Sequence, residues 1–129
     1  MPRQPSSTPT DAELEILRVL WDRGPRTVRQ IYNTIKISRG IGYTTTLRTV
    51  QVMTEKGLLL KDESERPQLY SPAQPQGQTQ LQLVDQLVQK AFGGSAMNLV
   101  LHAMAAQRIS PEELAQVRKM IGKAKGERP

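Results

Sequence analysis

The sequence predicts a mainly α-helical protein, with three helices and a β-hairpin in its first half and three short helices in its second. Two observations support this prediction. Apolar residues recur at helical spacing in six stretches, and two short apolar runs flank one polar turn. Because the chain has only 129 residues, 37% of them hydrophobic, it can build one modest core. We therefore expect the second half to need a partner.

The chain is predicted to begin with a disordered arm and a first helix. Residues 1–9 hold three prolines among Ser, Thr and Gln, a composition that cannot support a packed element. Thr10 and Glu13 have the spacing of a capping box, which opens a helix that a Gly-Pro pair at 24–25 ends. Its apolar stripe consists of Leu14, Leu17, Val19, Leu20 and Trp21.

The second helix is predicted by the same kind of start. Thr27 and Gln30 repeat the capping-box spacing, and the helix is expected to end near Ile37. Its apolar positions are Val28, Ile31, Tyr32 and Ile35.

The run from Gly42 to Gly57 predicts a third helix. Its β-branched residues lower helix propensity, so the prediction depends on periodicity and on Gly57 as the C-terminal cap. One face carries Tyr43, Leu47, Val50 and Thr54. The opposite face carries Thr44, Thr45, Arg48, Gln51, Val52 and Glu55.

A hairpin is predicted after the third helix. Residues 58–61 and 68–71 have the pattern of strands, and the polar segment 63–67 forms the turn between them. Three helices followed by a hairpin is the order of a winged helix-turn-helix, so we assign residues 10–73 to such a domain. The Pro, Gln and Gly content of residues 72–79 predicts a linker.

Residues 74–124 are predicted to form a small helical dimerisation domain, followed by a flexible tail at 125–129. Its helices are expected at 81–92, at 96–107 and from Pro111 to about Gly122. Their apolar stripes exceed what so small a unit can hide, which predicts a dimer interface. The candidate interface residues are Leu81, Val84, Val88, Phe92, Val100, Leu101, Met104, Leu114, Val117 and Ile121. Met97, Met104 and Met120 could instead line a ligand pocket, although core filling is the simpler explanation.

Composition narrows the classes of function. Eighteen Lys and Arg against twelve acidic residues give a net charge of +6, which favours a polyanionic partner. Cysteine is absent and His102 is the single histidine, so we expect no enzyme, no metal site and no cofactor. His102 lies in an apolar stretch and is expected to pack or to contact a partner. The chain shows neither a secretory signal nor a membrane span, which predicts a cytoplasmic protein without membrane insertion.

The polar face of the third helix predicts contact with double-stranded DNA. Thr methyl groups suit thymine, Arg48 suits guanine and Gln51 suits adenine, although an ordinary solvated face remains the alternative. The predicted base-contacting residues are Thr44, Thr45, Arg48 and Gln51. Predicted phosphate contacts are Arg26, Arg29, Arg39, Lys56, Lys61 and Arg66, the last at the wing tip. A two-fold dimer with paired helices about 34–36 Å apart would then bind a two-fold symmetric operator.

Two other functions fit the same fold. A winged-helix module can dock on protein and never contact bases. A small-molecule sensor with a pocket between the domains is the second alternative.

The residues themselves resemble a known family. TDAELEILRVLWDRGPRTVRQIY, GYTTTLRTVQVMTEKGLLLKDE and the Tyr70-Ser71-Pro72 strand end are similar to the penicillinase-repressor family, the BlaI/MecI type, which includes copper-responsive repressors. LVDQLVQKAFGGS resembles the linker helix and dimerisation segment of that family. The resemblance covers about 10–121 and implies a homodimeric repressor of genes for antibiotic resistance or metal handling. It also implies base contact by Thr44, Thr45 and Arg48 and a wing near Arg66.

Three departures from the family pattern concern the operator and the inducing signal. Val52 stands where the family commonly has an Arg, so Arg48 is expected to carry more of the base contact. Members controlled by a membrane-bound metalloprotease sensor resemble one another at an Asn-Phe bond, where this chain has His102-Ala103. Copper-responsive members use cysteine pairs, which this chain lacks. The resemblance therefore leaves the inducing signal open.

Overall fold

The computed structural model describes residues 8–106 and 109–124. Most of the predicted N-terminal arm, the predicted tail at 125–129 and the end of the predicted helix at Gln107 lie outside these residues. The chain divides into two compact units, of which the first ends at Val84 and the second begins at Asp85.

The first unit has the predicted order of helix, helix, helix and hairpin. The elements are α1 (Asp11–Arg23), α2 (Val28–Arg39), α3 (Tyr43–Glu55), β1 (Leu59–Asp62) and β2 (Leu69–Pro72), and β1 pairs antiparallel with β2. Three more helices follow, namely α4 (Gln76–Ala91), α5 (Ala96–Ala106) and α6 (Pro111–Ala124). The predicted fold class, mainly helical with a winged helix-turn-helix and a helical C-terminal part, is confirmed.

The two capping boxes predicted in the first unit are formed, and they explain where α1 and α2 begin. The Glu13 amide donates to Thr10 Oγ1 at 3.2 Å, while the Thr10 amide donates back to Glu13 Oε1 at 3.0 Å. Thr27 and Gln30 exchange the same two bonds at 3.0 and 3.1 Å. Each box gives hydrogen-bond partners to helix-start amides that would otherwise have none.

Gly57 ends α3 as predicted. It adopts φ +84°, the left-handed conformation that glycine enters without a Cβ clash. Its amide donates to the Thr54 carbonyl at 3.1 Å, and the Leu58 amide donates to the Met53 carbonyl at 2.9 Å. These two bonds form a Schellman motif, which closes the helix and directs the chain into β1.

The core of the first unit lies where α1, α2, α3 and the hairpin meet. α1 packs against α2, α3 and β2, and α3 also packs against α2 and β1. The buried apolar side chains are Ile16, Leu17, Val19, Leu20, Val28, Ile31, Ile35, Val50, Met53, Leu59 and Tyr70. Ile16, Thr46 and Met53 are buried although the predicted stripes left them out, because α1 and α3 are each covered by neighbours on more than one side.

A short backbone pairing joins the α1–α2 connection to the wing. The Arg26 amide donates to the Tyr70 carbonyl at 3.1 Å, and the Tyr70 amide donates to the Arg26 carbonyl at 2.8 Å. This bridge fixes the start of α2 relative to β2. The sequence pattern did not predict it, since a single bridge leaves no periodicity.

The linker predicted at 72–79 is shorter in the structure, where only residues 73–75 lie between β2 and α4. β2 extends to Pro72, and α4 already begins at Gln76. Thr79 is buried, so packing holds the first turn of α4 in spite of the poor helix propensity of Gly77. Similarly, α2 continues past the predicted end at Ile37 to Arg39, where Gly40 caps it in the left-handed conformation.

The second unit exposes most of its apolar surface. α5 is the sequence AMNLVLHAMAA, yet none of its residues is buried. Val88 is buried, and the Phe92 and His102 rings lie 5.5 Å apart between centroids. Among the described residues, no helix is both long and apolar enough to cross a membrane.

Candidate nucleic-acid interface

The exposed face of α3 carries all four predicted base-contacting side chains. Thr44, Thr45, Arg48 and Gln51 are exposed. Thr46, Val50 and Met53 are fully buried and attach α3 to the core. Because an α-helix has 3.6 residues per turn, burying the second group on one side of α3 directs the base-contacting side chains toward solvent.

The threonines of α3 divide into two groups by their hydrogen bonds. Thr46, Thr49 and Thr54 donate their hydroxyls to carbonyls one turn back, at 2.8 to 3.2 Å. The Thr44 and Thr45 hydroxyls make no such bond to the described part of the chain. Both can therefore donate to an external acceptor, such as a base edge or a phosphate oxygen.

Two of the predicted phosphate contacts outside the hairpin are engaged with carboxylates. Lys56 Nζ lies 2.8 and 2.9 Å from the two carboxylate oxygens of Glu13, which is buried. Arg39 lies 3.1 Å from Glu15 Oε1, and the Ser38 hydroxyl donates to Glu15 Oε2 at 2.6 Å. The Ser38 bond, together with the Arg39 bond and charge, lowers the pKa of Glu15. Any phosphate would share these two cations with a carboxylate.

Arg29 is held by aromatic rings instead. Its guanidinium carbon lies 4.1 Å from the centroid of the Tyr43 ring and 5.8 Å from that of Tyr32. The two rings meet edge to face at 5.8 Å, and Lys36 Nζ lies 5.6 Å from the Tyr32 centroid. No carboxylate lies within ion-pair distance of Arg29 or Lys36 in the described chain. These four residues are called the aromatic–cation cluster below.

The remaining predicted contacts lie near the wing and the start of α2. Arg26 donates to the Pro25 carbonyl at 2.9 Å. Lys61 lies 3.2 Å from Glu63, and Arg66 is exposed at the hairpin turn. The Ser64 hydroxyl and amide donate to Asp62 and lower the pKa of that exposed carboxyl. The acidic side chains of the turn offset part of its positive charge.

The aromatic–cation cluster adds Tyr32, Lys36 and Tyr43 to the residues near this face. Both tyrosines belong to the predicted apolar stripes of their helices, and Lys36 is not among the predicted phosphate contacts. A usable pattern was present, because Arg29, Tyr32 and Lys36 are spaced by three and four residues and so share one face of α2. The contribution of Tyr43 comes from α3, so only the packing of the two helices reveals it.

A cleft of about 490 Å³ lies in the first unit. Its walls are formed by Glu15, Arg18, Val19, Trp21, Asp22, Arg23, Thr34 and Gln76. Most of these side chains are charged or polar, whereas small-molecule sites usually have mainly apolar walls. The Trp21 indole nitrogen is buried without a hydrogen-bond partner in the described part of the protein.

Most predicted interface side chains of the C-terminal helices are open to solvent or half-buried in the single chain. The exposed large apolar side chains here are Leu81, Val84, Leu87, Met97, Val100, Leu101, Met104, Met120 and Ile121. Phe92, Leu114 and Val117 are half-buried, and Val88 is covered by its own chain. His102 is exposed, with Nδ1 2.9 Å from the Asn98 carbonyl oxygen.

Comparison with known proteins covers nearly the whole chain. The profile of the family described as "Penicillinase repressor" matches residues 9–123. Two proteins named "Transcriptional regulator BlaI", from Mycobacterium tuberculosis strains CDC 1551 / Oshkosh and ATCC 25618 / H37Rv, are each 28% identical over 124 residues. Each alignment covers 92% of this chain and 88% of the relative. The similarity thus includes both α3 and the helices that follow the hairpin.

Proposed function

The chain belongs to the penicillinase repressor family, and we propose that this transcriptional repressor acts in the cytoplasm as a homodimer on a two-fold symmetric operator in double-stranded DNA. The winged helix at 10–73 binds DNA, and the helical segment at 74–124 makes the dimer.

The DNA-binding part of this proposal is supported above all by the row of exposed polar side chains on α3. Thr44, Thr45, Arg48 and Gln51 present donors, acceptors and methyl groups from a helix whose opposite side is anchored in the core. Such a row can enter the major groove, where each base pair offers a distinct pattern of donors and acceptors. Arg48 supplies the bidentate group that suits guanine.

The dimer part is supported by the apolar surface of the C-terminal helices. α5 is almost entirely apolar and buries none of its residues in the single chain. An exposed apolar surface of this kind is unfavourable in water and is a recognised mark of an interaction site. A second copy of the same chain supplies a matching surface, and two-fold pairing then mirrors the symmetry of the operator.

The test is selection of duplex DNA from a random pool by the full chain. The expected result is one enriched sequence with two-fold symmetric half-sites, separated centre to centre by about one helical turn or a multiple of it. Binding to that sequence should weaken steeply with salt, by about 0.9 log units per tenfold salt for each phosphate contacted. Failure to enrich any sequence would overturn the DNA-binding proposal. Enrichment of a sequence without two-fold symmetry would overturn the proposed dimer.

A further inference from the structure

The aromatic–cation cluster lies where α2 meets the first residue of α3. Tyr43 is that first residue, and its ring faces the Arg29 guanidinium at 4.1 Å. Tyr43 also packs against the core, while Arg29 is exposed. The cluster therefore connects a solvent-facing cation directly to the start of the helix that carries Arg48.

A cation held by an aromatic ring keeps its net charge, whereas a cation paired with a carboxylate is neutralised. The ring attracts the guanidinium without cancelling its charge, and the edge of the guanidinium keeps its N–H donors for another acceptor. Arg39 and Lys56 are paired with Glu15 and Glu13, so their charge is already balanced. Arg29 and Lys36 keep a full positive charge in a restricted position.

Restricting a long side chain before binding reduces the entropy that binding must remove. Arg29 and Lys36 are seven residues apart on α2, about two turns, so both lie on the side that carries Tyr32. DNA phosphates lie in rows along each strand, and two fixed cations on one helix side can contact one such row.

We propose that Tyr43, together with Tyr32, is a positioning residue that holds Arg29 and Lys36 as a pair of phosphate contacts beside the start of α3. This inference rests on the proposed DNA-binding function and extends it. Arg29 and Lys36 touch the DNA backbone, whereas the tyrosines act through them. The pair fixes how α3 enters the groove and carries no base preference of its own.

The experiment measures the affinity of the full chain for the selected duplex over a salt series. Because each substitution removes one contact from both protomers of the dimer, Arg29→Ala and Lys36→Ala are each expected to reduce the log–log salt slope by about 1.8, and the double variant by about 3.6. Lys90→Ala, which removes an exposed cation from α4, is the matched control and should leave the slope unchanged. An unchanged slope in Arg29→Ala or Lys36→Ala would overturn the inference.

The role of Tyr43 is tested by a double-mutant cycle. Tyr43→Phe keeps the ring face and should bind like the unmodified chain. Tyr43→Leu removes the ring face and should weaken operator binding about five- to thirtyfold, the factor that corresponds to one exposed cation–π contact in each of the two protomers. In the Arg29→Ala background the same Leu substitution should have no further effect. An equal loss in both backgrounds would mean that Tyr43 acts only by anchoring α3.

A measurement on the unbound protein covers the case in which Tyr43→Leu fails to fold. Protons of the Arg29 side chain should be shifted upfield by the Tyr43 ring in the NMR spectrum, and they should remain so in Tyr43→Phe. Random-coil shifts for these protons would overturn the inference. If the unmodified chain binds no DNA at all, both the proposed function and this inference are wrong. If the chain binds DNA with the expected salt dependence but Tyr43 and Arg29 are not coupled in the double-mutant cycle, only this inference is wrong.

Discussion

Lys56, the residue that follows α3, forms an ion pair with Glu13 in the first turn of α1. Its Nζ lies 2.9 Å from Glu13 Oε1 and 2.8 Å from Glu13 Oε2. Glu13 is only 5% exposed and also takes part in the capping box with Thr10. The end of the helix that carries Arg48 is thus tied to the start of the domain.

Glu13→Gln is expected to destabilise the protein by about 1–3 kcal/mol, because it leaves the Lys56 ammonium partly buried without its counter-charge. The amide oxygen can still accept the Thr10 bond, so the helix cap is preserved. Glu15→Gln is the matched control on the same helix. It breaks a more exposed pair with Arg39 and should cost about 0–1 kcal/mol. Urea unfolding measures both, and equal losses would contradict the prediction.

Ser38→Ala should reduce the loss of stability in acid. The Ser38 hydroxyl is the largest cause of the lowered pKa of Glu15, whose ordinary value is 4.5. A carboxyl whose pKa is lower in the folded state stabilises the fold fully above its unfolded pKa and loses that contribution as pH falls through the folded pKa.

We therefore expect the free energy of unfolding to fall less in Ser38→Ala than in the unmodified chain between about pH 7 and about pH 3. Denaturant unfolding at both pH values measures the difference. Parallel curves for the two proteins would show that the Ser38–Glu15 bond does not contribute in solution.

Gly57→Ala and Gly77→Ala should change stability in opposite directions. Gly57 has φ +84° and no atom within 4 Å of where an alanine methyl group would lie, so alanine would suffer conformational strain alone, about 1 kcal/mol. Gly77 lies in the first turn of α4 with equally open space, and alanine should stabilise by up to about 1 kcal/mol. Thermal unfolding should show a lower Tm for the first and a higher Tm for the second. The same sign for both would refute the assigned cap.

Arg48→Ala should weaken operator binding by about 1–3 kcal/mol per half-site and relax the preference at one base pair in each half-site. The reason is the loss of a bidentate donor from the exposed face of α3. Arg118→Ala, an exposed arginine on α6, is the control and should bind like the unmodified chain. Titrations against the operator and its single-base variants provide the measurement. Equal weakening on every sequence would mean that Arg48 touches only phosphate.

Leu101→Glu should weaken self-association without unfolding the monomer, because Leu101 is 58% exposed in the single chain. A charge at a buried dimer contact is costly to desolvate. Leu60→Glu is a matched control on the wing, where the leucine is 59% exposed. Sedimentation equilibrium should show a larger dissociation constant for Leu101→Glu alone. Unchanged association would place the dimer contact elsewhere.

The local features of the fold follow from the residues alone. Thr10, Thr27 and Gly57 fixed where helices begin and end, because a cap depends on atoms within a few residues of it. The outward row of Thr44, Thr45 and Arg48 followed from helical periodicity once one side of α3 was known to be apolar. The resemblance to the penicillinase repressors was likewise visible in the residues.

Which cations are left without a carboxylate partner is set by contacts between segments far apart in the chain. Glu13 and Lys56 are 43 residues apart, and Tyr43 reaches Arg29 from a different helix. Such pairs depend on how the helices pack, and no pattern within one helix contains that information. The same holds for the burial of Thr46 and for the Arg26–Tyr70 bridge, since each is set by a neighbour distant in the chain.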